Sequence, residues 1–399
     1  MPQSGRVGYG VLSFFSGIGV LDLGFENAGF RTWMASELYR PFADGYAYAR
    51  ACMGRQLPVR GMYTGNFEGF LDDGWRRLSL LSAIGEVREE CGLAGFIGGP
   101  PCPDFSIAGR QAGVDGINGR LTQRYADLIC AVQPDFFVFE NVAGLWTGKH
   151  LEFYVRIRRQ LGQAGYHITD KLLNTIQYGV PQDRQRVLVI GLRERSFPSG
   201  AAEAAAAVFP WESGASAIDM RAVAWPSSDP FVEEGERPLP PGVPERLTVE
   251  WWFRRNRVDQ HDNAGHSFQP RSALERFRSI REGDTAGKSF KRLHRWRYSP
   301  TAAYGNNEVH LHPYRPRRIS AAEAMAIQSL PRSFALPHGM SLSDMFKAVG
   351  NAVPLLFAEA IAGTLRSTLD AARAPDAAAA KRALPASRCR ASNGSAARP

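Results

Sequence analysis

Long apolar runs and closely paired cysteines are both missing from this chain of 399 residues. It contains no run of about 18 apolar residues, the length that a membrane-spanning helix requires, so we expect no membrane association. The first ten residues lack the charged-then-apolar pattern of an export signal, and we therefore expect a cytoplasmic protein. The five cysteines have no paired spacing, which argues against a disulfide framework and against a zinc site, and we expect no metal.

Positive charge is unevenly distributed along the sequence, which has a net charge of +9. Residues 251–300 contain 12 Lys and Arg against 5 Asp and Glu, and residues 371–399 contain 6 against 1. A local basic excess is typical of a protein that binds a polyanion such as nucleic acid. A solvated basic surface gives the same composition, so charge alone leaves both interpretations open.

Short apolar runs alternate with helical periodicity between residues 7 and 195, and this alternation favours an α/β fold. The runs predict strands at Val7–Phe15, Arg31–Ser36, Leu93–Ile97, Phe136–Phe139 and Val187–Ile190. Helical periodicity is found at Val20–Ala28, Tyr125–Val132, Leu151–Ala164, Ser320–Ser329 and Val353–Leu369. The pattern predicts a Rossmann-like, doubly wound, mostly parallel sheet, on which ligands bind at the carboxyl ends of the strands.

The composition changes near residue 196, where proline-rich and glycine-rich stretches and then the basic segment replace clear periodicity. Helical patterning returns near Arg317, and the last residues are rich in Ala, Arg, Ser and Pro. We therefore expect one catalytic domain built from residues 1–195 and 316–370. A smaller irregular domain at 196–315 interrupts it, and a disordered basic tail occupies 371–399.

A glycine-rich turn follows the first predicted strand, at Phe15-Ser16-Gly17-Ile18-Gly19. Such turns let backbone amides approach a ligand closely and present a helix N-terminus to it. Glu37 stands twenty residues after Gly17 at the end of the second predicted strand. Nucleotide-binding sheets place an acid for ribose hydroxyls there, although a surface glutamate would occupy the same position.

Three further clusters carry candidate chemistry. Cys102 lies in a rigid loop, Gly98-Gly99-Pro100-Pro101-Cys102-Pro103, where a thiol suits nucleophilic attack, although most lone cysteines are buried apolar residues. Glu140 ends another apolar strand, and a carboxyl group beside apolar neighbours is suited to holding a proton. Gln182, Arg184 and Arg186 share one face of an extended segment; two surface salt bridges are the alternative for the arginines.

These clusters, in this order, resemble the DNA (cytosine-5-)-methyltransferase family of bacterial restriction-modification systems. The later chain agrees with the resemblance in Arg317-Arg318-Ile319-Ser320, Glu323, Gln328 and Pro331, and in the segment from Phe346 to Pro354. The match covers roughly residues 8–195 and 315–365. It implies a class I methyltransferase fold with a target-recognition domain in the position of the irregular insert.

The resemblance implies a role for each catalytic candidate. Cys102 would attack carbon 6 of a cytosine and so make carbon 5 nucleophilic toward the methyl group of S-adenosyl-L-methionine. Glu140 would hold a proton on ring N3, Arg186 would donate to O2, and Arg184 would lie toward phosphate and the thiol loop. Because a thiol cannot reach a base inside a duplex, the target cytosine would have to be flipped out.

The resemblance also implies which residues bind the cofactor S-adenosyl-L-methionine. Phe15 and Leu38 would lie against adenine, Gly17 and Gly19 along the methionine moiety, and Glu37 at the ribose hydroxyls. The remaining cofactor contacts would be Asn66, Pro100, Leu121, Asn351 and Val353.

Four positions depart from the family pattern. Ser13 replaces an aspartate, Val20 a second glycine, Asn66 an aspartate at the adenine amino group, and Pro103 a common glutamine. The first three weaken individual cofactor assignments, while the nucleophile is unaffected.

The basic insert is expected to contact double-stranded DNA, mostly through phosphates. The expected DNA-binding residues are Gln182, Arg254, Arg255, Arg257, Lys291, Arg292, Arg295 and Arg297.

Several alternatives remain at this point. An RNA cytosine methyltransferase would share the catalytic domain, but a shorter recognition segment would be expected. A non-catalytic DNA-binding module is disfavoured by the intact Cys102, Glu140, Arg184 and Arg186, and a nicotinamide-dependent dehydrogenase leaves the Pro-Pro-Cys loop unexplained. We expect a monomer that protects DNA from a cognate restriction endonuclease.

Overall fold

A computed structural model describes residues 8–101, 117–270, 274–287, 289–302, 304 and 308–374. Over these residues the strands are β1 (Gly8–Phe14), β2 (Arg31–Glu37), β3 (Met62–Thr64), β4 (Gly92–Gly98), β5 (Phe136–Val142), β6 (Tyr166–Asn174), β7 (Gln182–Asp183), β8 (Gln185–Arg193) and β9 (Ser299–Pro300). The helices are α1 (Val20–Asn27), α2 (Arg40–Cys52), α3 (Gly69–Asp72), α4 (Gly74–Cys91), α5 (Ile117–Val132), α6 (Leu151–Gln163), α7 (Ala201–Ala207), α8 (Val249–Asn256), α9 (Leu274–Ser279), α10 (Ala321–Ile327), α11 (Leu342–Asn351) and α12 (Leu355–Arg373).

The strands form a seven-stranded sheet in the order β3-β2-β1-β4-β5-β8-β6. The first five strands are parallel, whereas β8 runs antiparallel to both β5 and β6. Strand order reverses between β1 and β4, and ligands bind at such a switch point in sheets of this class. The predicted mostly parallel, doubly wound α/β fold is confirmed.

Both faces of the sheet are buried, which explains why its central strands are nearly continuous apolar runs. On one face Leu12 and Phe96 pack against α4, α5 and α6. On the other face Val11 and Val138 pack against α12 and the outer side of α1. Residues of α7 belong to this second core, so the chain leaves the catalytic domain later than the boundary at 196 that composition suggested.

A third core joins the irregular region to the C-terminal helices. Trp252 and Phe253 of α8 pack with Leu293, and this group continues into Met325 of α10 and Phe346 of α11. The insert is therefore anchored on the helices that follow it in sequence.

The stretch Leu342–Arg373 is long and apolar enough to cross a membrane by length and composition, with a mean hydropathy of 1.4. Its window is 67% buried inside the protein, as is common for core helices. Helix α12 extends to Arg373, so regular structure continues past the boundary at 370. Residues 375–399, where the disordered tail was expected, lie outside the described residues.

Candidate active site

The glycine-rich turn connects β1 to α1 through three left-handed residues. Phe15, Gly17 and Gly19 have φ angles of 54°, 57° and 83°, which fold the chain into a tight loop. A Cβ on Gly19 would stand 2.5 Å from the Tyr46 ring, so only glycine fits there. At Gly17 no described atom lies within 4 Å of the place that a Cβ would take. The turn is therefore packed on its inner side and open at Gly17, as a cofactor-binding loop requires.

Glu37 lies beside this turn at the carboxyl end of β2. One of its carboxylate oxygens accepts a hydrogen bond from the Gly17 amide at 2.9 Å, and the other accepts from the Tyr39 amide at 2.8 Å. A carboxylate has about four lone-pair sites, so Glu37 can also accept from ribose hydroxyls. The structure thus brings Gly17 and Glu37 together, as their spacing in the sequence suggested.

An aromatic group lies beside the same turn. The Phe15 ring lies edge-on to Phe67 and Tyr125, with ring centroids 4.7 and 5.6 Å away. Leu121 is half-buried and packs against the same core, whereas Leu38 is 65% exposed at the edge of the site. Sequence reasoning missed Phe67 and Tyr125, since their apolar positions alone gave no sign of a ligand.

The side chain of Asn66 is hydrogen-bonded to Glu68, two residues further along the chain. Its side-chain oxygen accepts from the Glu68 amide at 3.0 Å, and its side-chain nitrogen donates to the Glu68 carboxylate at 2.9 Å. The oxygen keeps a second lone pair for a ligand donor. Asn66 is exposed at the start of the loop that leads to α3, so it remains a candidate for the adenine edge.

A nearly enclosed ion pair joins Glu140 to Arg186. Because β8 is antiparallel to β5, the start of β8 lies at the carboxyl edge of the sheet, and Arg186 is the partner of Val142 in the register. Arg186 Nε lies 2.6 Å from Glu140 Oε1, and each side chain is only about a tenth exposed. Strand direction, which the sequence left open, therefore brings this arginine to the carboxylate of Glu140.

Gly99 lets the loop after β4 pass close to this pair. A Cβ on Gly99 would stand 2.7 Å from Glu140 Oε2. Pro100 is buried and Pro101 half-buried at the end of this segment. Cys102, the predicted nucleophile, and Pro103 follow directly and lie outside the described residues.

Arg184 and Gln182 are buried under the site. Arg184 donates to the Ala302 carbonyl at 3.3 Å. Gln182 donates to Gln328 at 3.2 Å and accepts from the Ala302 amide at 3.0 Å, and its exposure is 0%. The prediction that Gln182 contacts DNA is wrong, because its amide instead joins the end of the insert to the C-terminal segment.

Asn351 and Val353, the cofactor candidates of the C-terminal motif, differ in exposure. Asn351 is the last residue of α11 and is exposed, whereas Val353 is buried in the core beneath the sheet. A Cβ on Gly350 would stand 3.1 Å from the Ala302 carbonyl, so α11 packs directly on the chain that returns from the insert. Gln328, whose side-chain nitrogen donates to the Val349 carbonyl at 2.6 Å, links the same elements.

Two arginines that were predicted to contact phosphate, Arg292 and Arg295, are buried instead. Arg292 is 0% exposed and donates to four backbone carbonyls, and burial lowers the pKa of its guanidinium to about 10. Arg295 forms a two-point ion pair with the fully buried Glu282, at 2.8 and 2.9 Å. The prediction that these two residues contact phosphate is wrong, because their guanidinium groups bind backbone carbonyls and Glu282 in the interior of the insert.

The other basic candidates are more accessible. Arg254, Arg255 and Arg257 are exposed on and just after α8, while Lys291 and Arg297 are half-buried. Arg254 pairs with Glu250 at 2.7 Å. Arg255 stacks over the rings of two tryptophans, with its guanidinium carbon 5.1 and 4.9 Å from their centroids, and forms no ion pair with any described residue. Arg257 likewise forms no ion pair with any described residue, so Arg255 and Arg257 are the exposed cations of this group that are best placed to meet an anion.

Comparison with known proteins agrees with the fold. A putative DNA modification methyltransferase encoded within an E. coli prophage superposes with a TM-score of 0.62 at 22% identity, covering 91% of this chain and 99% of the other. The S. pombe Dnmt2 methyltransferase superposes with a TM-score of 0.56 at 12% identity, covering 90% and 98%. At these identities the likeness concerns the fold alone.

Sequence relatives identify the family. The type II methyltransferase M.NmeDI of Neisseria meningitidis serogroup C is 51% identical over 361 residues, which span 90% of this chain and 84% of the relative. M.MthTI of Methanothermobacter thermautotrophicus is 27% identical over 378 residues, 90% of this chain and 98% of the relative. The profile described as C-5 cytosine-specific DNA methylase matches residues 83–367. The chain belongs to the C-5 cytosine-specific DNA methylase family, and the activity of this family is DNA cytosine-5 methylation.

Proposed function

We propose that this chain transfers a methyl group from S-adenosyl-L-methionine to carbon 5 of a cytosine flipped out of a specific duplex DNA sequence. In this mechanism the Cys102 thiolate would form a bond to carbon 6 of the ring, and carbon 5 would take the methyl group as the methyl–sulfur bond of the donor breaks and S-adenosyl-L-homocysteine leaves. Carbon 5 would then lose its proton to water, the bond between carbon 6 and the Cys102 sulfur would break with return of the thiolate, and the ring would be restored. Catalysis is therefore assigned to Cys102, Glu140, Arg184 and Arg186.

The contact between Glu140 and Arg186 is the observation that carries this proposal. Ring atoms N3 and O2 of cytosine are separated by a single carbon, so the groups that serve them must be close neighbours. The two side chains lie 2.6 Å apart and are nearly enclosed. A proton held by Glu140 at N3, and a hydrogen bond from Arg186 to O2, stabilise the charge that develops when the thiolate adds.

The residues at the first turn fit the proposed cofactor. S-adenosyl-L-methionine supplies, when bound, a methyl group on a positively charged sulfur. The open face at Gly17 and the carboxylate of Glu37 fit its amino-acid and ribose parts, and the ring of Phe15 fits its adenine. The full proposed set is Phe15, Gly17, Gly19, Glu37, Leu38, Asn66, Pro100, Leu121, Asn351 and Val353.

The biological setting is also a proposal. The printed names of the relatives, type II methyltransferases, support a role beside a cognate restriction endonuclease, in the cytoplasm. We propose that the enzyme acts as a monomer. The exposed arginines of α8, Arg254, Arg255 and Arg257, together with Lys291 and Arg297, would hold the duplex by its phosphates.

The function is tested by expressing the protein in a host without DNA methylation and sequencing the methylated cytosines. We expect one short sequence to be methylated, and Cys102→Ala to abolish methylation while DNA binding persists. A duplex that carries 5-fluorocytosine in this sequence should remain covalently attached to the protein. Absence of methyl transfer to any mixed-sequence duplex would contradict the proposal, and transfer to transfer RNA in preference to DNA would reassign the substrate.

A further inference from the structure

A buried carboxylate lies beneath the cofactor turn and takes no part in the mechanism described above. Asp22, in the first turn of α1, has an exposure of 0%. One of its oxygens accepts from the Ser13 hydroxyl at 2.6 Å, and the other accepts from the Tyr46 hydroxyl at 2.9 Å. Aspartates in the first turn of a helix usually face solvent, whereas this one points back at the sheet.

Burial makes this arrangement costly for the folded protein. It raises the pKa of Asp22 to about 6, although the hydrogen bonds from Ser13 and Tyr46 and the charge of Arg50 act in the opposite direction. Arg50 does not contact the carboxylate in the described structure; it reaches the Tyr46 hydroxyl at 3.4 Å and pairs with Glu26 at 2.8 Å. A buried charge without a directly paired cation is uncommon outside functional sites.

An ionised carboxylate fixes the direction of every hydrogen bond around it, because it can only accept. The Ser13 hydroxyl must give its proton to Asp22, which leaves the Ser13 oxygen to accept from the Ser16 hydroxyl at 2.9 Å. Ser16 is also fixed at its backbone, since its amide donates to the Ser36 carbonyl at 3.0 Å. One arm of the network therefore sets the residue just before Gly17.

The second arm sets the other end of the turn. The Tyr46 hydroxyl donates to Asp22, and the Tyr46 ring fills the space beneath Gly19, where a Cβ would be only 2.5 Å from it. The Gly19 amide in turn donates to the Ser16 carbonyl at 2.8 Å. Both ends of the Ser16–Gly19 loop are thus connected to the same carboxylate.

We propose that Asp22 is a positioning residue for the cofactor. Its buried carboxylate orders Ser13, Ser16 and Tyr46 so that the Gly17 amide and the open face of the turn are held in the shape that binds S-adenosyl-L-methionine. This assignment rests on the proposed cofactor and adds to it a residue that does not touch the ligand. Asp22 contributes no group to the methyl transfer itself.

The test is calorimetric titration of purified variants with S-adenosyl-L-methionine, beside DNA binding by gel shift. Asp22→Asn keeps the shape of the side chain, but its amide nitrogen can only donate. This nitrogen would therefore face a hydroxyl that donates to the carboxylate in the original chain. We expect its dissociation constant for the cofactor to rise by about ten- to a hundredfold, the loss that follows when a buried group is left unsatisfied. The KM for the cofactor should rise similarly, with a much smaller change in kcat and in DNA affinity.

A matched control separates positioning from general destabilisation. Asp135 is another buried aspartate, but it accepts from the Ala94 amide at 2.8 Å, near the amino end of β4 and far along the strand from the cofactor turn. Asp135→Asn should lower the unfolding temperature while leaving cofactor affinity unchanged. A folded Asp22→Asn protein that binds the cofactor as tightly as the original chain would overturn the inference.

Exchange of the two partners gives a rescue experiment. Asp22→Ser should weaken cofactor binding, and the double change Asp22→Ser with Ser13→Asp should restore most of it, since a carboxylate again lies within the same hydrogen-bonded group. A folded double variant that binds no better than Asp22→Ser would count against a positioning carboxylate.

Milder variants cover the case in which the Asp22 variants do not fold. Ser13→Ala and Tyr46→Phe each remove one hydroxyl and no charge, and each should weaken cofactor binding several-fold. Unchanged affinity in both would overturn the inference. If the original chain itself does not bind S-adenosyl-L-methionine, the proposed cofactor fails instead, so the two failures are distinguishable.

Discussion

Replacement of Gly99 by alanine tests whether the position of Glu140 governs catalysis. The new Cβ would stand 2.7 Å from Glu140 Oε2, whereas ordinary van der Waals contact begins at 3.4 Å. The carboxylate must therefore withdraw by about 0.7 Å, while its other oxygen is held 2.6 Å from Arg186. Because a misplacement of about 1 Å at a reacting group can lower a rate roughly a hundredfold, we expect Gly99→Ala to lower kcat about 10- to 50-fold.

Stability should change little in this variant. Gly99 does not have a left-handed φ angle, so alanine brings no backbone strain, and the end of a side chain is the nearest obstacle. We expect the free energy of unfolding to change by about 1 kcal/mol, as for mild overpacking. Gly85→Ala, in α4 with no described atom within 4 Å of its Cβ, is the matched control and should keep full activity.

The assay is single-turnover methylation of a duplex that contains the recognition sequence, with cofactor and DNA both saturating. A double-mutant cycle with Glu140→Gln sharpens it. Both changes act through the same carboxyl group, so Gly99→Ala should add little to the loss caused by Glu140→Gln. A Gly99→Ala enzyme with the original single-turnover rate, or effects that add fully in the cycle, would refute the reasoning.

Three other outcomes are expected. Arg295→Ala leaves the carboxylate of Glu282 buried without its two-point partner and should destabilise the fold by about 3–5 kcal/mol in chemical denaturation, with loss of DNA binding only through unfolding. Arg255→Ala removes the stacking of the guanidinium on two tryptophan rings and should lower the free energy of unfolding by about 1 kcal/mol. It should also reduce the slope of log binding constant against log salt by about one; an unchanged slope would remove Arg255 from the DNA contacts. The pKa of Asp22 is raised from 3.8 to about 6, so between these pH values the folded state keeps a proton that the unfolded state loses. The free energy of unfolding, measured relative to Asp22→Asn, should therefore fall by about 3 kcal/mol as pH rises from about 4 to above 6. A pH-independent difference between these two proteins would show that Asp22 does not titrate in this range.

The central sheet was predictable because burial on both faces leaves a plain signal in the sequence. Strands β1, β4 and β5 read as short apolar runs, and the structure places them side by side. Edge strand β6 (Tyr166–Asn174) was not predicted, since it is only partly buried and mixes polar and apolar residues without a clear run. Because β6 is antiparallel to β8, it runs in the same direction as β5, so β8 alone makes the sheet mixed.

Individual site residues were predictable where the contact is local to a strand end, as for Gly17 and Glu37. Gln182, Arg292 and Arg295 were placed wrongly because their partners are backbone carbonyls or side chains 13 to 146 residues away, and a single sequence does not show which residues pair. Gln182, for example, bonds to Gln328, 146 residues away. The sequence of a basic segment does not distinguish an arginine that faces solvent from one that pairs with a buried glutamate.

The contact between the first and last helices bears on how the nascent protein matures. A Cβ on Gly24 of α1 would stand 2.4 Å from the Cβ of Ala358 in α12, and Arg366 donates to the Ala28 carbonyl at 2.9 Å. While the ribosome is still producing the central part of the polypeptide, the outer side of α1 has nothing to cover it. Pairings over such long sequence separations form late and slowly. We therefore expect the core between α1 and α12 to form only after residues 355–373 have left the ribosome.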